Sequence, residues 1–214
     1  FFKQKTAYEI PKRDWSSDVC SSDLVNYVAL DFIAVGAANG DIRVMADQVQ
    51  RGIAWVYKNA ARIGGDPNRI FVGGQSSGAH LAGVSLVTDW AKHGVPADFI
   101  KGAILLSGMY EMKPVRLSSR STYVKFNDAM EESISTIRHI NNLKCPVTLV
   151  YGTFETPEFQ RHSRDFYTAL QAAGKRSTLI TAPNHNHFEL QETLANPYGW
   201  AGRAALAMMG LGKA

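Results

Sequence analysis

Five residues, Gly74-Gln75-Ser76-Ser77-Gly78, sit between two stretches of different character and constrain the fold more than any other part of the chain. Before them, Arg69-Ile70-Phe71-Val72-Gly73 is a short apolar run of the kind that forms a buried strand. After them, His80-Leu81-Ala82-Gly83-Val84 reads as a helix. A chain that passes from strand to helix through so few residues must turn sharply, and the apex residue is held in a strained conformation. A Gly-x-Ser-x-Gly in that place is a nucleophile elbow, with the Ser76 hydroxyl exposed at its tip. Gly74 and Gly78 are expected to omit Cβ atoms where neighbouring backbone and helix would collide.

The rest of the chain alternates strand and helix from Val25 onward. Val25 to Phe32 is an apolar run expected as a strand, followed by a loop through Gly40. Asp41 can cap a long helix whose Met45, Val49, Ile53, Val56 and Ala60 share one face, with Gly64-Gly65 as its stop. Further strands are expected at Ile70–Gly73, Ala103–Ser107, Pro146–Tyr151 and Leu179–Ala182. Helices are expected from Ser77 to about Lys92, from Thr156-Pro157-Glu158 to about Ala173, and from Gly202 to Met209. Gly108 to Lys144 is the least regular part and is expected to build one pocket wall. Such alternation implies an α/β fold, a mostly parallel sheet with helices on both faces.

Composition excludes several classes. The net charge of +4 comes from scattered basic residues that form no run, so no nucleic-acid footprint is expected. No apolar stretch approaches the ~18 residues a membrane span requires. Cys20 and Cys145 make neither a disulfide framework nor a metal pattern, and Cys145, ahead of Pro146, reads as a packed thiol. Residues 1–24 stand apart. They lack periodicity, repeat Ser-Ser-Asp, and resemble the translation of a DNA-sequencing library adapter. They are expected to be a non-native segment and are set aside, as a cloning scar would be. Residues 25–214 are then expected to be a catalytic domain truncated at its N-terminal strands. The compartment stays open, with the cytoplasm favoured, and the oligomeric state is not legible.

A serine hydroxyl is a weak nucleophile at neutral pH and needs a base, which in turn needs an orienting acid. In parallel-sheet hydrolases the chain order is serine, acid, histidine, each beyond the carboxyl end of a strand. Ser76 follows the strand ending at Gly73, Glu155 follows Val150-Tyr151-Gly152, and His187 follows the strand ending at Ala182. Glu155 competes with Glu158 and is favoured because Glu158 also reads as a first-turn helix acid. His187 competes with His185 in the same loop and is favoured. His80, one helical turn beyond Ser76, is placed to brace the elbow, whereas His93, His139 and His162 read as solvated or structural. This chemistry requires neither metal nor cofactor.

At these residues the chain resembles the α/β-hydrolase family, and within it the arylformamidase-like and carboxylesterase-like members. Gly74 to Leu81 is similar to their elbow, which often has His where this chain has Gln75. Glu155 to Ser163 is similar to their acid motif, which usually has Asp first, and His187-Phe188-Glu189 is similar to their histidine motif. Ser107-Gly108-Met109-Tyr110 also resembles a family stretch. The resemblance implies Gln75 and Tyr110 as substrate contacts, the alternative for Tyr110 being an ordinary strand-end aromatic. It implies a small-molecule ester or formamide substrate. The backbone N–H of Ser77 would be one oxyanion donor. The family draws a second from a His-Gly-Gly loop, and no His-Gly-Gly occurs in this chain. The rival expectation is a non-catalytic binding protein that kept the fold, or a chain inactive without that loop.

Overall fold

A computed structural model of the chain describes residues 25–212. The adapter-like segment, with Cys20 in it, lies outside the described residues. The centre is a four-stranded sheet in the order β1 (Ile70–Gln75), β2 (Ile100–Leu106), β3 (Val147–Gly152), β4 (Ser177–Ala182). Every neighbouring pair is parallel. Parallel neighbours need crossovers, and helices supply them. The helices are α1 (Ile42–Asn59), α2 (Ser77–Leu86), α3 (Met112–Arg116), α4 (Asp128–Ile134), α5 (Pro157–Ala172), α6 (Glu189–Ala195) and α7 (Trp200–Met208).

Side chains alternate across a strand, and here the two sets enter two separate cores. Ala103 and Leu105 of β2, with Val147 and Leu149 of β3, join the larger core beneath α1, α2 and α5. Ile104, Leu106 and Val150 face the opposite way into a smaller core with Leu190 and Ala201 of α6 and α7. The central strands are thus covered on both faces. Leu105 and Leu149 have no exposed surface, and a Leu→Ala change at either is expected to cost about 2–5 kcal/mol.

Local chemistry sets the helix ends. The Asp41 side chain accepts from Arg43 N–H and caps α1 as expected. A single 3₁₀ turn follows α1, and Gly64 ends it at φ 79°. Pro157 occupies the first turn of α5, but Thr156 makes no side-chain cap hydrogen bond. The helix expected to reach Lys92 stops at Leu86, because Asp89 accepts from Ala91 N–H and starts a separate 3₁₀ turn, Trp90–His93. Residues 108–144 are irregular, with only the short α3 and α4 and two 3₁₀ segments.

The Val25–Phe32 run is not a strand. An extended segment needs ladder partners for its N–H and C=O groups. This one instead lies against the larger core through Leu30 and Phe32, and Ile33 N–H donates to Gln48 Oε1 at 2.8 Å. On its outer edge β1 has no partner strand among the described residues, and Gly73 is exposed. Among those residues no helix is long and apolar enough to cross a membrane.

Candidate active site

Three strand ends carry the expected residues. After β1, Ser76 has φ 57° and ψ −118°, a backbone conformation that costs a non-glycine residue about 1–3 kcal/mol. Two hydrogen bonds hold it there: its N–H donates to Leu106 O at 2.8 Å, and its carbonyl accepts from His80 N–H at 3.0 Å. Gly74 permits the turn, since a Cβ there would sit 2.4 Å from the carbonyl carbon of Gly78. Gly78 itself differs from expectation, because a Cβ on it would meet nothing within 4 Å among the described residues. Ser77 opens α2 with its side chain exposed, and its N–H is among the first four that no intrahelical carbonyl can accept.

Glu155 follows β3 with its side chain wholly buried. One oxygen, Oε1, meets His187 Nδ1 at 2.5 Å. The other, Oε2, accepts from Ser107 Oγ at 2.5 Å and from Gly152 N–H at 2.9 Å. Burial pushes the carboxyl toward its neutral form, but the bonds from His187, Ser107 and Gly152 outweigh it and hold the group below its ordinary range. Glu155 is therefore an anion that only accepts. The proton of the neutral imidazole then sits on His187 Nδ1, and Nε2 keeps a free lone pair.

His187 lies after β4 and is one-fifth exposed. Phe159 of α5 lies over its ring at 4.3 Å and Phe188 meets its edge at 5.7 Å. At the start of α6, Asn186 Oδ1 accepts from Glu189 N–H, and Glu189 Oε2 accepts from Asn186 N–H, a reciprocal pair of the capping-box kind. The competing residues are engaged elsewhere. Glu158 forms an ion pair with Arg161 at 2.5 Å, and His185 Nδ1 lies 2.7 Å from Pro183 O.

The structure thus brings Glu155 and His187 into direct contact. It ties Ser76 to them through backbone. Among the described residues the Ser76 hydroxyl makes no hydrogen bond to His187; such bonds often form only once substrate is bound. Gln75 bridges the two sides, its Nε2 donating to the carbonyl of His187 at 2.5 Å. That amide nitrogen faces the histidine loop. Tyr110 departs from its expected place at the pocket wall. It is fully buried and stacked on Phe166 at 4.3 Å, so it is a packed strand-end aromatic. Burial drives its hydroxyl strongly toward the protonated form. His80 does brace the region: its Nε2 lies 3.0 Å from Ile134 O, and burial lowers it to about 4, so the ring is neutral. His162 is buried too, its Nδ1 accepting from Tyr110 N–H at 3.3 Å. Cys145 is a buried thiol pushed up to about 11 by burial, as suits packing. Ser107, Phe159 and Gln75 all lie within the motif stretches, but their contacts with Glu155 and His187 were not legible there. For Ser107 the available sign was a serine closing the apolar run Ala103–Leu106.

A parallel sheet with helices on both faces, a strained serine at one strand end, and a carboxylate–imidazole pair at two others define an α/β-hydrolase fold. The sequence profile of a family described as alpha/beta hydrolase fold matches residues 37–190, and the chain belongs to that family. The kynurenine formamidase of Danio rerio is 33% identical over 190 residues, covering 83% of this chain and 62% of the relative. The isoprenylcysteine alpha-carbonyl methylesterase ICME of Arabidopsis thaliana is 27% identical, covering 71% of this chain and 40% of the relative. The chain therefore spans less than two thirds of the length of these curated relatives. A propionate-bound esterase from Thermogutta terrifontis superposes with a TM-score of 0.65 at 21% identity, covering 86% of this chain and 72% of the other, which supports the fold alone.

Proposed function

We propose that this chain carries the catalytic residues of a serine hydrolase acting on carboxylic esters or aryl formamides. Ser76 is the nucleophile, His187 the base and Glu155 the orienting acid. The observation that carries this reading is the 2.5 Å contact between Glu155 Oε1 and His187 Nδ1. It leaves Nε2 as the only ring nitrogen able to take a proton. His187 Nε2 removes the Ser76 hydroxyl proton as Oγ attacks the substrate carbonyl. The resulting oxyanion accepts from Ser77 N–H at the start of α2. The imidazolium, paired with the Glu155 carboxylate, protonates the leaving alcohol or amine, and an acyl or formyl ester of Ser76 remains. Water, deprotonated by the same nitrogen, hydrolyses that ester and restores the serine.

Relatives named as a formamidase and as a methylesterase both match this chain, and one acyl-transfer route serves both bond types. The 33% identity to the formamidase, against 27% to the methylesterase, favours the aryl formamide. Turnover of N-formylkynurenine and of p-nitrophenyl acetate by the chain and by Ser76→Ala tests the proposal. Loss of both activities in the variant is expected. Full activity in Ser76→Ala would remove the serine from the mechanism.

A further inference from the structure

Among the described residues, Ser107 is the one outside the nucleophile, base and acid whose side chain bonds to a side chain of theirs. It follows β2, has no exposed surface, and sits at φ 48°. A non-glycine residue at positive φ is uncommon and disfavoured. Glycine would occupy the position without that cost. Serine stands there instead, and its hydroxyl donates to Glu155 Oε2 at 2.5 Å. The backbone explains how it gets there. Ser107 N–H donates to Val150 O at 2.9 Å, which carries the β2–β3 ladder one residue past the Leu106–Val150 pair. The next residue must be glycine, because a Cβ on Gly108 would lie 2.5 Å from the Tyr110 hydroxyl. Tyr110, stacked on Phe166, thereby braces the turn that aims Ser107.

The two oxygens of Glu155 have separate partners: Oε1 faces His187, while Oε2 takes Ser107 and Gly152. A carboxylate can rotate about its terminal torsion, which is broad and two-fold. Two donors converging on Oε2 stop that rotation, and so fix where Oε1 meets the imidazole.

The geometry points to Ser107 as a positioning residue for the hydrolytic reaction: its hydroxyl locks the Glu155 carboxylate so that Glu155 can orient His187. This rests on the reading of Glu155 as the acid. Ser107→Gly separates orientation from folding, since glycine relieves the strained backbone while deleting the hydroxyl.

The experiment compares Ser107→Gly, Ser107→Ala and Glu155→Gln in the full chain. It measures thermal midpoint, kcat and KM on p-nitrophenyl acetate, and the ¹³C titration of the Glu155 carboxyl. In Ser107→Gly the thermal midpoint is expected to hold or rise, kcat to fall about tenfold, KM to stay unchanged, and the Glu155 titration to move up. His187 and the buried Tyr110 are the titratable groups that act on this carboxyl, and both remain in the variant. Ser107→Ala is expected to lose the same kcat despite a different stability. Wild-type kcat and an unmoved Glu155 titration in Ser107→Gly, with Glu155→Gln inactive, would reduce Ser107 to a packing role. Unequal kcat in the glycine and alanine variants would assign the effect to backbone and likewise overturn the proposal. Full activity in Glu155→Gln would instead sink the acid assignment itself. The carboxyl titration needs no turnover, so it decides the matter independently.

Discussion

Glu155→Gln is nearly isosteric, and the hydrogen bonds around the carboxylate determine what it does. Gly152 N–H can only donate, so the new amide must place its oxygen where Oε2 stood. Ser107 Oγ can keep donating to that oxygen. The amide NH₂ is then forced into the place of Oε1, facing His187 Nδ1. Two donors cannot share that contact, so Nδ1 must give up its proton and Nε2 must carry it. The imidazole is left in the tautomer that cannot accept the Ser76 proton. In a serine protease triad the corresponding amide costs about 10,000-fold in kcat by the same tautomer exchange, and a loss of that order is expected here. Folding should suffer less. Replacing a charged acceptor by a neutral one at bonds that persist is expected to cost about 1 kcal/mol, a drop of about 2–4 °C in thermal midpoint for a chain of this size. The pH dependence gives a further check. Glu155 is held below its reference value of 4.5, so its ionised form stabilises the fold above that pH, and the contribution is lost as pH falls through the folded-state value. The stability gap between the chain and Glu155→Gln should therefore close below about pH 4.5. Stopped assays on p-nitrophenyl acetate and thermal melts from pH 3 to 8 provide the measurements. Activity within tenfold of the parent in Glu155→Gln, together with loss in Glu158→Gln, would refute the reasoning and move the acid to the next helix.

Other substitutions probe the elbow and the buried histidine. Ser76→Gly should abolish turnover while raising the thermal midpoint, since glycine relaxes φ 57°; a lowered midpoint in melts would contradict the strain argument. Gly74→Ala should fold poorly, because its Cβ would press on the Gly78 carbonyl carbon from 2.4 Å, whereas Gly78→Ala, in α2 with open space beside it, should gain about 0.5–1 kcal/mol. Chemical denaturation of both variants checks the contrast. His80 is buried and neutral with its value lowered from 6.5 to about 4, so the unfolded chain binds more protons between those limits and stability must fall as pH drops through that window. His80→Gln should flatten that part of the stability profile in denaturant titrations across the same range.

The elements legible in the sequence were those with redundant signals. The elbow had a strand before it, a helix after it and glycines at its corners, and α5 had a proline at its start and a glycine behind it. Ala103–Ser107 and Pro146–Tyr151 were mostly apolar runs, broken only by Ser107 and Thr148, which suit strands covered on both faces. Val25–Phe32 carried the same local signal and still forms no strand, because a ladder depends on partners that local sequence does not encode. In α6 the buried residues are Leu190 and Thr193, with Leu194 partly buried, too few apolar positions for periodicity, though the Asn186–Glu189 cap was there to be read. Chain order and strand ends singled out Ser76, Glu155 and His187 as candidates, and the structure brings Glu155 and His187 into contact. Ser107 and the Gln75 bridge are tertiary facts, made by the register of β2 against β3 and by the closeness of the elbow to the histidine loop.

Gln75, expected as a substrate contact, carries that bridge, and a positioning role can be tested against a binding one. The loop carrying His187 is anchored on the β3 side by several bonds. Asn184 N–H donates to Thr153 Oγ1 at 2.8 Å, Phe154 N–H donates to His185 O at 3.0 Å, and Glu155 holds the imidazole itself. On the elbow side, among the described residues, Gln75 Nε2 to His187 O is the one hydrogen bond. Gln75→Leu removes it while keeping similar bulk. His187 should then stay with Glu155 and drift from Ser76. A displacement near 1 Å between reacting groups costs up to about 100-fold, so a kcat loss of about 10- to 100-fold is expected with KM little changed. A substrate contact behaves oppositely: its loss raises KM and leaves kcat alone. Steady-state kinetics of Gln75→Leu on p-nitrophenyl acetate and on N-formylkynurenine separates the two roles. A raised KM confined to one substrate would restore Gln75 to the binding pocket, because a bond that only positions the base must affect both substrates alike.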